Sequence, residues 1–126
     1  MRDEDLVRLA LEAKERAYAP YSGIRVGAAL LTRGGEVFTG VNVENASYGL
    51  TLCAERVAAV KAVSEGRKDW VTLAVAWNRE EFCRPCGACR QVLFEFAPAL
   101  RVLMANARGE YEEEVLAALL PSAFTK

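Results

Sequence analysis

The sequence predicts an α/β fold in which one mixed sheet carries helices on both faces. Three observations lead there. Gly34-Gly35 separates two strand-like runs and reads as a hairpin. Further on, the apolar runs at 71–77 and 102–105 alternate with helical patterns, the order that parallel pairing requires. An amphipathic helix precedes the hairpin. An antiparallel hairpin joined to a strand–helix–strand unit gives a mixed sheet.

The elements follow in order. Over residues 4–18, Leu6, Leu9, Ala10, Ala13 and Ala17 recur at helical spacing, with acids in the first turn. Residues 19–23, with Pro20 and Gly23, break this helix. Strands are expected over 26–32 and 36–44. Thr51 is a candidate cap for a second helix, which runs to about Glu65, turns Val57, Val60 and Val63 inward and stops at Gly66. Val71, Leu73, Val75 and Trp77 alternate along a strand. Pro85 opens a third helix that ends before Pro98. A buried strand at 102–105 precedes a turn at 107–109 and a short strand at Glu110-Tyr111. A last helix is expected over 113–120.

Length and composition narrow the function. The 126 residues suit a single domain spanning 1–126, and 52% hydrophobic residues can fill its core. The net charge is −1, with no lysine or arginine block. A small-molecule substrate is expected, not nucleic acid, because backbone binding calls for a basic stripe. No apolar run approaches the roughly 20 residues of a membrane span, and the acidic start does not resemble a signal peptide. A cytoplasmic location follows as the expectation. There the four cysteines stay reduced and read as metal-binding or catalytic. Histidine is absent, so the chemistry must rest on other side chains.

Two segments carry that chemistry: Cys53-Ala54-Glu55-Arg56 and Pro85-Cys86-Gly87-Ala88-Cys89-Arg90-Gln91. Each lies at an expected helix start, where free N–H groups and the helix dipole favour thiolate. Cys86 and Cys89 are one helical turn apart. With Cys53 they make three zinc ligands, which leaves a fourth tetrahedral position for water, the pattern of a catalytic site. Glu55, two residues past a ligand, is the candidate general acid and base. Arg56 sits one turn after Cys53. Three thiolates around Zn²⁺ leave a net negative charge, which a guanidinium bonded to sulfur would offset. Arg56→Gln is therefore expected to raise the pKa read from the pH–rate profile, measured by steady-state kinetics. A rival remains: Cys83 could complete a closed Cys₄ site in a non-catalytic zinc module, although Pro85 separates it from the helical turn.

The paired motif resembles the zinc-deaminase signature, in which His or Cys, one residue and Glu are followed by Pro-Cys-x-x-Cys. More of the chain is similar to the small homotetrameric cytidine deaminases. The matching stretches are 17–22, 26–31, 40–48, 53–56, 85–91 and 119–124, which together span nearly the whole sequence. The resemblance implies a three-layer α/β/α sandwich around a five-stranded mixed sheet, with one Zn²⁺ per subunit. The activity implied is hydrolytic deamination of cytidine and 2′-deoxycytidine, in pyrimidine salvage. It also implies that Asn42 and Glu44 bind the ribose 3′-hydroxyl, and that backbone groups near Ala54 and Cys86 meet the reacting ring. Phe124 would stack on the pyrimidine from a neighbouring subunit, and Tyr48 would lie near a subunit boundary, so that pockets are shared within a homotetramer. Gln91 would support the metal site from behind its ligands. Ile24 departs from the family's Phe and leaves an apolar wall in place of a stacking surface. Blasticidin-type deaminases share the three-cysteine site, and a deaminase of bases within RNA or DNA is a further alternative. The stretch Asn42-Val43-Glu44-Asn45 favours the nucleoside enzyme.

Overall fold

The structure, a computed structural model, describes all 126 residues. Helix α1 (Asp3–Ala13) leads through a 3₁₀ turn to the hairpin β1 (Val26–Thr32) and β2 (Val37–Val41). Helix α2 (Ala54–Ser64), strand β3 (Trp70–Trp77), helix α3 (Gly87–Phe94) and strand β4 (Arg101–Ala105) follow. Strand β5 (Tyr111–Val115) and a single turn, α4 (Leu116–Leu119), complete the order. The five strands lie in the order β2-β1-β3-β4-β5. Only β3 and β4 are parallel, joined across α3.

Alternation along the strands builds two cores. Leu30, Leu73, Val75, Val102 and Met104 face α2 and α3. Ala29, Ala74, Ala76 and Leu103 face Leu6, Val7 and Ala10 of α1. The result is the expected three-layer α/β/α sandwich. No helix is long and apolar enough to cross a membrane.

Four expectations need correction. Helix α1 ends at Ala13 instead of running to residue 18. Past it, the backbone of Tyr18 and Glu44 is committed to a bridge: Tyr18 N–H donates to Asn42 O at 3.0 Å and Glu44 N–H to Tyr18 O at 2.9 Å. Ala17 is therefore extended, not helical.

The second correction concerns Thr51. It lies outside α2, whose N-cap is Cys53, and its hydroxyl instead accepts Asn45 N–H at 3.1 Å.

Third, the buried residues of α2 are Ala54, Glu55, Ala58, Ala59 and Ala62; Val63 packs partly buried against the same core as expected, but Val60 is 56% exposed. Where α2 crosses Gly40 of β2 it lies so close to the sheet that small residues are favoured. A Cβ built on Gly40 of β2 would meet Ala54 O at 2.4 Å and Ala58 N at 2.5 Å. Gly40→Ala is expected to destabilise the protein by about 1–3 kcal/mol through overpacking, measurable by urea denaturation.

Last, the expected helix over 113–120 is mostly strand: only Leu116–Leu119 is helical. The backbone at 111–115 pairs antiparallel with β4 as an edge strand. Its exposed Glu112, Glu113 and Glu114 suit an edge that must not recruit another chain.

Candidate active site and metal centre

Two helix N-termini converge at one end of the sheet. Cys53 is the N-cap of α2 and Cys86 the N-cap of α3, both with extended backbone, while Cys89 lies in the first turn of α3. Gly40 lets α2 settle onto β2, and Pro85, fully buried, fixes the approach to α3. The Cys53 and Cys86 sulfurs are 3.8 Å apart, and those of Cys86 and Cys89 3.4 Å. All three Sγ atoms lie within 4.8 Å of one another, and all are free thiols. Tetrahedral zinc with Zn–S bonds of about 2.3 Å holds its sulfurs about 3.8 Å apart. The cluster fits that ion without rearrangement of the backbone.

Charge is distributed unevenly over the three sulfurs. The Cys53 thiol is pulled down to about 5, first by the hydrogen bond it receives from Cys89 and then, against burial, by the Arg56 guanidinium. Cys89 is pushed up, because its proton is held on the Cys53 sulfur and its site is buried. One thiolate is thus ready-made, and a divalent cation takes the place of the remaining protons. Arg56 Nη2 donates to Cys53 Sγ at 3.4 Å and to Thr51 O at 3.4 Å, as the charge argument anticipates.

Glu55 follows Cys53 into the first turn of α2 and is 4% exposed. Burial is the main cause that raises its carboxyl to about 7, and the Cys53 thiolate adds to it. Cys53, Ala54, Glu55 and Cys86 line one cavity of about 260 Å³, together with Ile24, Asn42 and Glu44. This brings together most of the residues singled out from the sequence.

Asn42 and Glu44 lie past the end of β2 instead of on it, yet both are buried and reach the same cavity. Asn42 Nδ2 donates to Ile24 O and its Oδ1 accepts Val26 N–H, each at 2.8 Å.

Three residues stand apart from both this cavity and the thiol cluster in the single chain. Tyr48 is exposed and packs edge-on against Tyr21, with ring centroids 6.4 Å apart. Phe124 is 70% exposed and lines a different hollow beside Phe94 and Pro98. Gln91 does not back the metal ligands. Its Nε2 donates to Phe124 O at 3.0 Å and so ties the C-terminal tail to α3. Spacing within the motif could not foresee where the tail would return.

Cys83 is buried in the core facing α2 and α3 and stands outside the three-sulfur cluster. Burial pushes its thiol up, which disfavours the ligating form. Ser22, Val26, Leu52, Trp77 and Arg84 also line the cavity and were missed. Ser22 and Val26 fall in stretches that match the family, but nothing in their local spacing marks either side chain as lining a pocket.

The comparisons with known proteins agree with this geometry. Residues 1–105 match the family model described as the cytidine and deoxycytidylate deaminase zinc-binding region. A cytidine deaminase of Halalkalibacterium halodurans is 52% identical over 121 residues, covering 95% of this chain and 92% of that protein. The crystal structure of a cytidine deaminase from Burkholderia pseudomallei superposes with a TM-score of 0.95 at 46% identity, covering 98% of this chain and all of that one. That of Mycobacterium tuberculosis gives 0.85 at 40% identity, with both chains fully covered. A zinc-fitting trio of cysteines beside a buried glutamate, on a sandwich shared along its full length with these enzymes, makes this chain a member of the cytidine deaminase family.

Proposed function

We propose that this chain hydrolyses cytidine and 2′-deoxycytidine to uridine and 2′-deoxyuridine, with release of ammonia. The observation that carries the reading is a buried carboxyl, raised to about 7, that shares a cavity with Cys53 and Cys86 of the three-thiol cluster. A group titrating near neutral pH both accepts and returns protons with little penalty.

Zinc held by Cys53, Cys86 and Cys89 supplies a Lewis acid that brings the ionisation of water towards neutrality. The chain's own residues do the remaining work. Glu55 takes the proton from the attacking water and passes it to N3 of the pyrimidine. Protonation at N3 makes C4 electron-poor, and the hydroxide formed adds there. Glu55, again a carboxylate, then takes the proton of the new C4 hydroxyl and gives it to the amino group, so that ammonia leaves as the C4 carbonyl forms and the proton on N3 stays with the product. Arg56 holds Cys53 as thiolate throughout. Ile24 and Ala54 bound the space for the ring, and Asn42 and Glu44 supply polar groups for the sugar.

The same proposal includes one domain spanning 1–126, a cytoplasmic location and a homotetramer. Exposed Tyr48, Leu50, Leu52 and Val60 support burial against other copies. So does Phe124, whose ring lies outside its own chain's cavity. Light scattering should then give four times the 13.8 kDa subunit mass.

The direct test mixes purified protein with cytidine and follows ammonia with and without a chelator. Release that the chelator abolishes and zinc restores supports the reading. No release from cytidine, with release from blasticidin S instead, would move the chain to the other substrate class.

A further inference from the structure

Glu44 reaches the cavity already heavily engaged. Its Oε1 accepts the backbone N–H of Tyr21 at 3.0 Å and of Ser22 at 3.1 Å. Its Oε2 accepts the Ser22 hydroxyl at 2.5 Å. The direction of that last bond follows from the ionised carboxylate, which can only accept, so the one Ser22 hydroxyl proton points at it. Ser22 Oγ in turn accepts Ile24 N–H at 3.0 Å, which holds the hydroxyl in place. A carboxylate offers about four acceptor positions. Three of them are filled from the loop between α1 and β1, and one on Oε2 is left. Hydrogen bonds led by that of Ser22 hold the Glu44 carboxyl below the usual range, so it is charged at neutral pH and can only accept.

We propose that Ser22 is a positioning residue that turns Glu44 so that a single acceptor faces the sugar, which makes one ribose hydroxyl a condition of tight binding. The proposal rests on the nucleoside reading above. Ser22 and Glu44 line the same cavity, opposite in sequence and joined only through this hydroxyl and the adjoining amides. Without the hydroxyl, Oε2 is free to rotate and the lost partner is replaced by water. The cost falls on sugar binding and not on the chemistry at C4, because Glu55 and the thiols belong to α2 and α3.

The experiment compares Ser22→Ala with wild type on cytidine, 2′-deoxycytidine and 2′,3′-dideoxycytidine. The expected result is a KM about tenfold higher for the first two substrates, kcat within about twofold, and an unchanged KM for the dideoxy analogue, which lacks the hydroxyl concerned. Ser22→Thr, which keeps the donor, should restore KM to within about threefold. Zinc content is measured in each variant. If Ser22→Ala does not fold, Ser22→Cys, a weak donor of similar size, carries the same comparison. An unchanged KM for cytidine overturns the proposal, and so does an equal rise for the dideoxy analogue, since a merely structural defect would affect all three alike. If wild type itself does not distinguish cytidine from the dideoxy analogue, the nucleoside reading of the cavity fails. If wild type distinguishes them and Ser22→Ala distinguishes them equally well, the role of Ser22 alone falls.

Discussion

Glu55→Gln is expected to lower kcat by about 10⁴-fold, the upper end for loss of a positioned acid and base. The substitution isolates the proton-carrying role. Glutamine has nearly the same volume, so the site at the start of α2, where Glu55 is 4% exposed, keeps its packing. It also stays neutral, which suits a site where burial already penalises the charge of the carboxylate. What it cannot do is accept the proton of water or return one to N3. The chain has no histidine that could take over the role. Zinc content should be unchanged, measured by atomic absorption, and the circular dichroism spectrum should match wild type. Residual turnover above about 1% of wild type would remove Glu55 from the acid–base role.

Cys89→Ala should have an effect of similar size by a different route. Cys89 is fully buried and lies in the first turn of α3, where its sulfur is 3.4 Å from that of Cys86. Its loss leaves two sulfurs on opposite helices with nothing behind them. Zinc affinity should fall by more than the roughly 10–100-fold that loss of a ligand's hydrogen-bonding partner costs. The protein should be purified largely without metal and without activity. Cys83→Ser is the control, because Cys83 lies outside the cluster and should release no zinc. If Cys83→Ser loses the metal as readily as Cys89→Ala, a four-sulfur site is the better account.

Much of this was legible in the sequence because the relevant signals are local. The Gly34-Gly35 turn, the alternation through β3 and the helix starts at both cysteine motifs each depend on a few neighbouring residues. The cysteine trio was legible for the same reason, since Cys53 and Cys86 are both N-caps and Cys89 lies one turn past Cys86. The failures are non-local. Glu112, Glu113 and Glu114 resemble a helical run, and only their pairing with β4 makes them an edge strand. Of the valines expected to face inward from α2, Val63 packs against the core, but the close approach permitted by Gly40 gives most of that face to alanines. The resemblance implies a place for Gln91 behind the metal ligands, yet its amide donates to the carbonyl of a residue 33 positions away. The bonds of Ser22 and Asn42 likewise join the loop before β1 to the end of β2, a pairing that no short window of sequence contains.

X-ray absorption at the zinc edge of the wild-type protein reaches the central claim most directly, because it counts the atoms around the metal. Three sulfurs at about 2.3 Å and one oxygen at about 2.0 Å are the result expected for an open corner beside Glu55. Four sulfurs, with no oxygen in the coordination sphere, would contradict it.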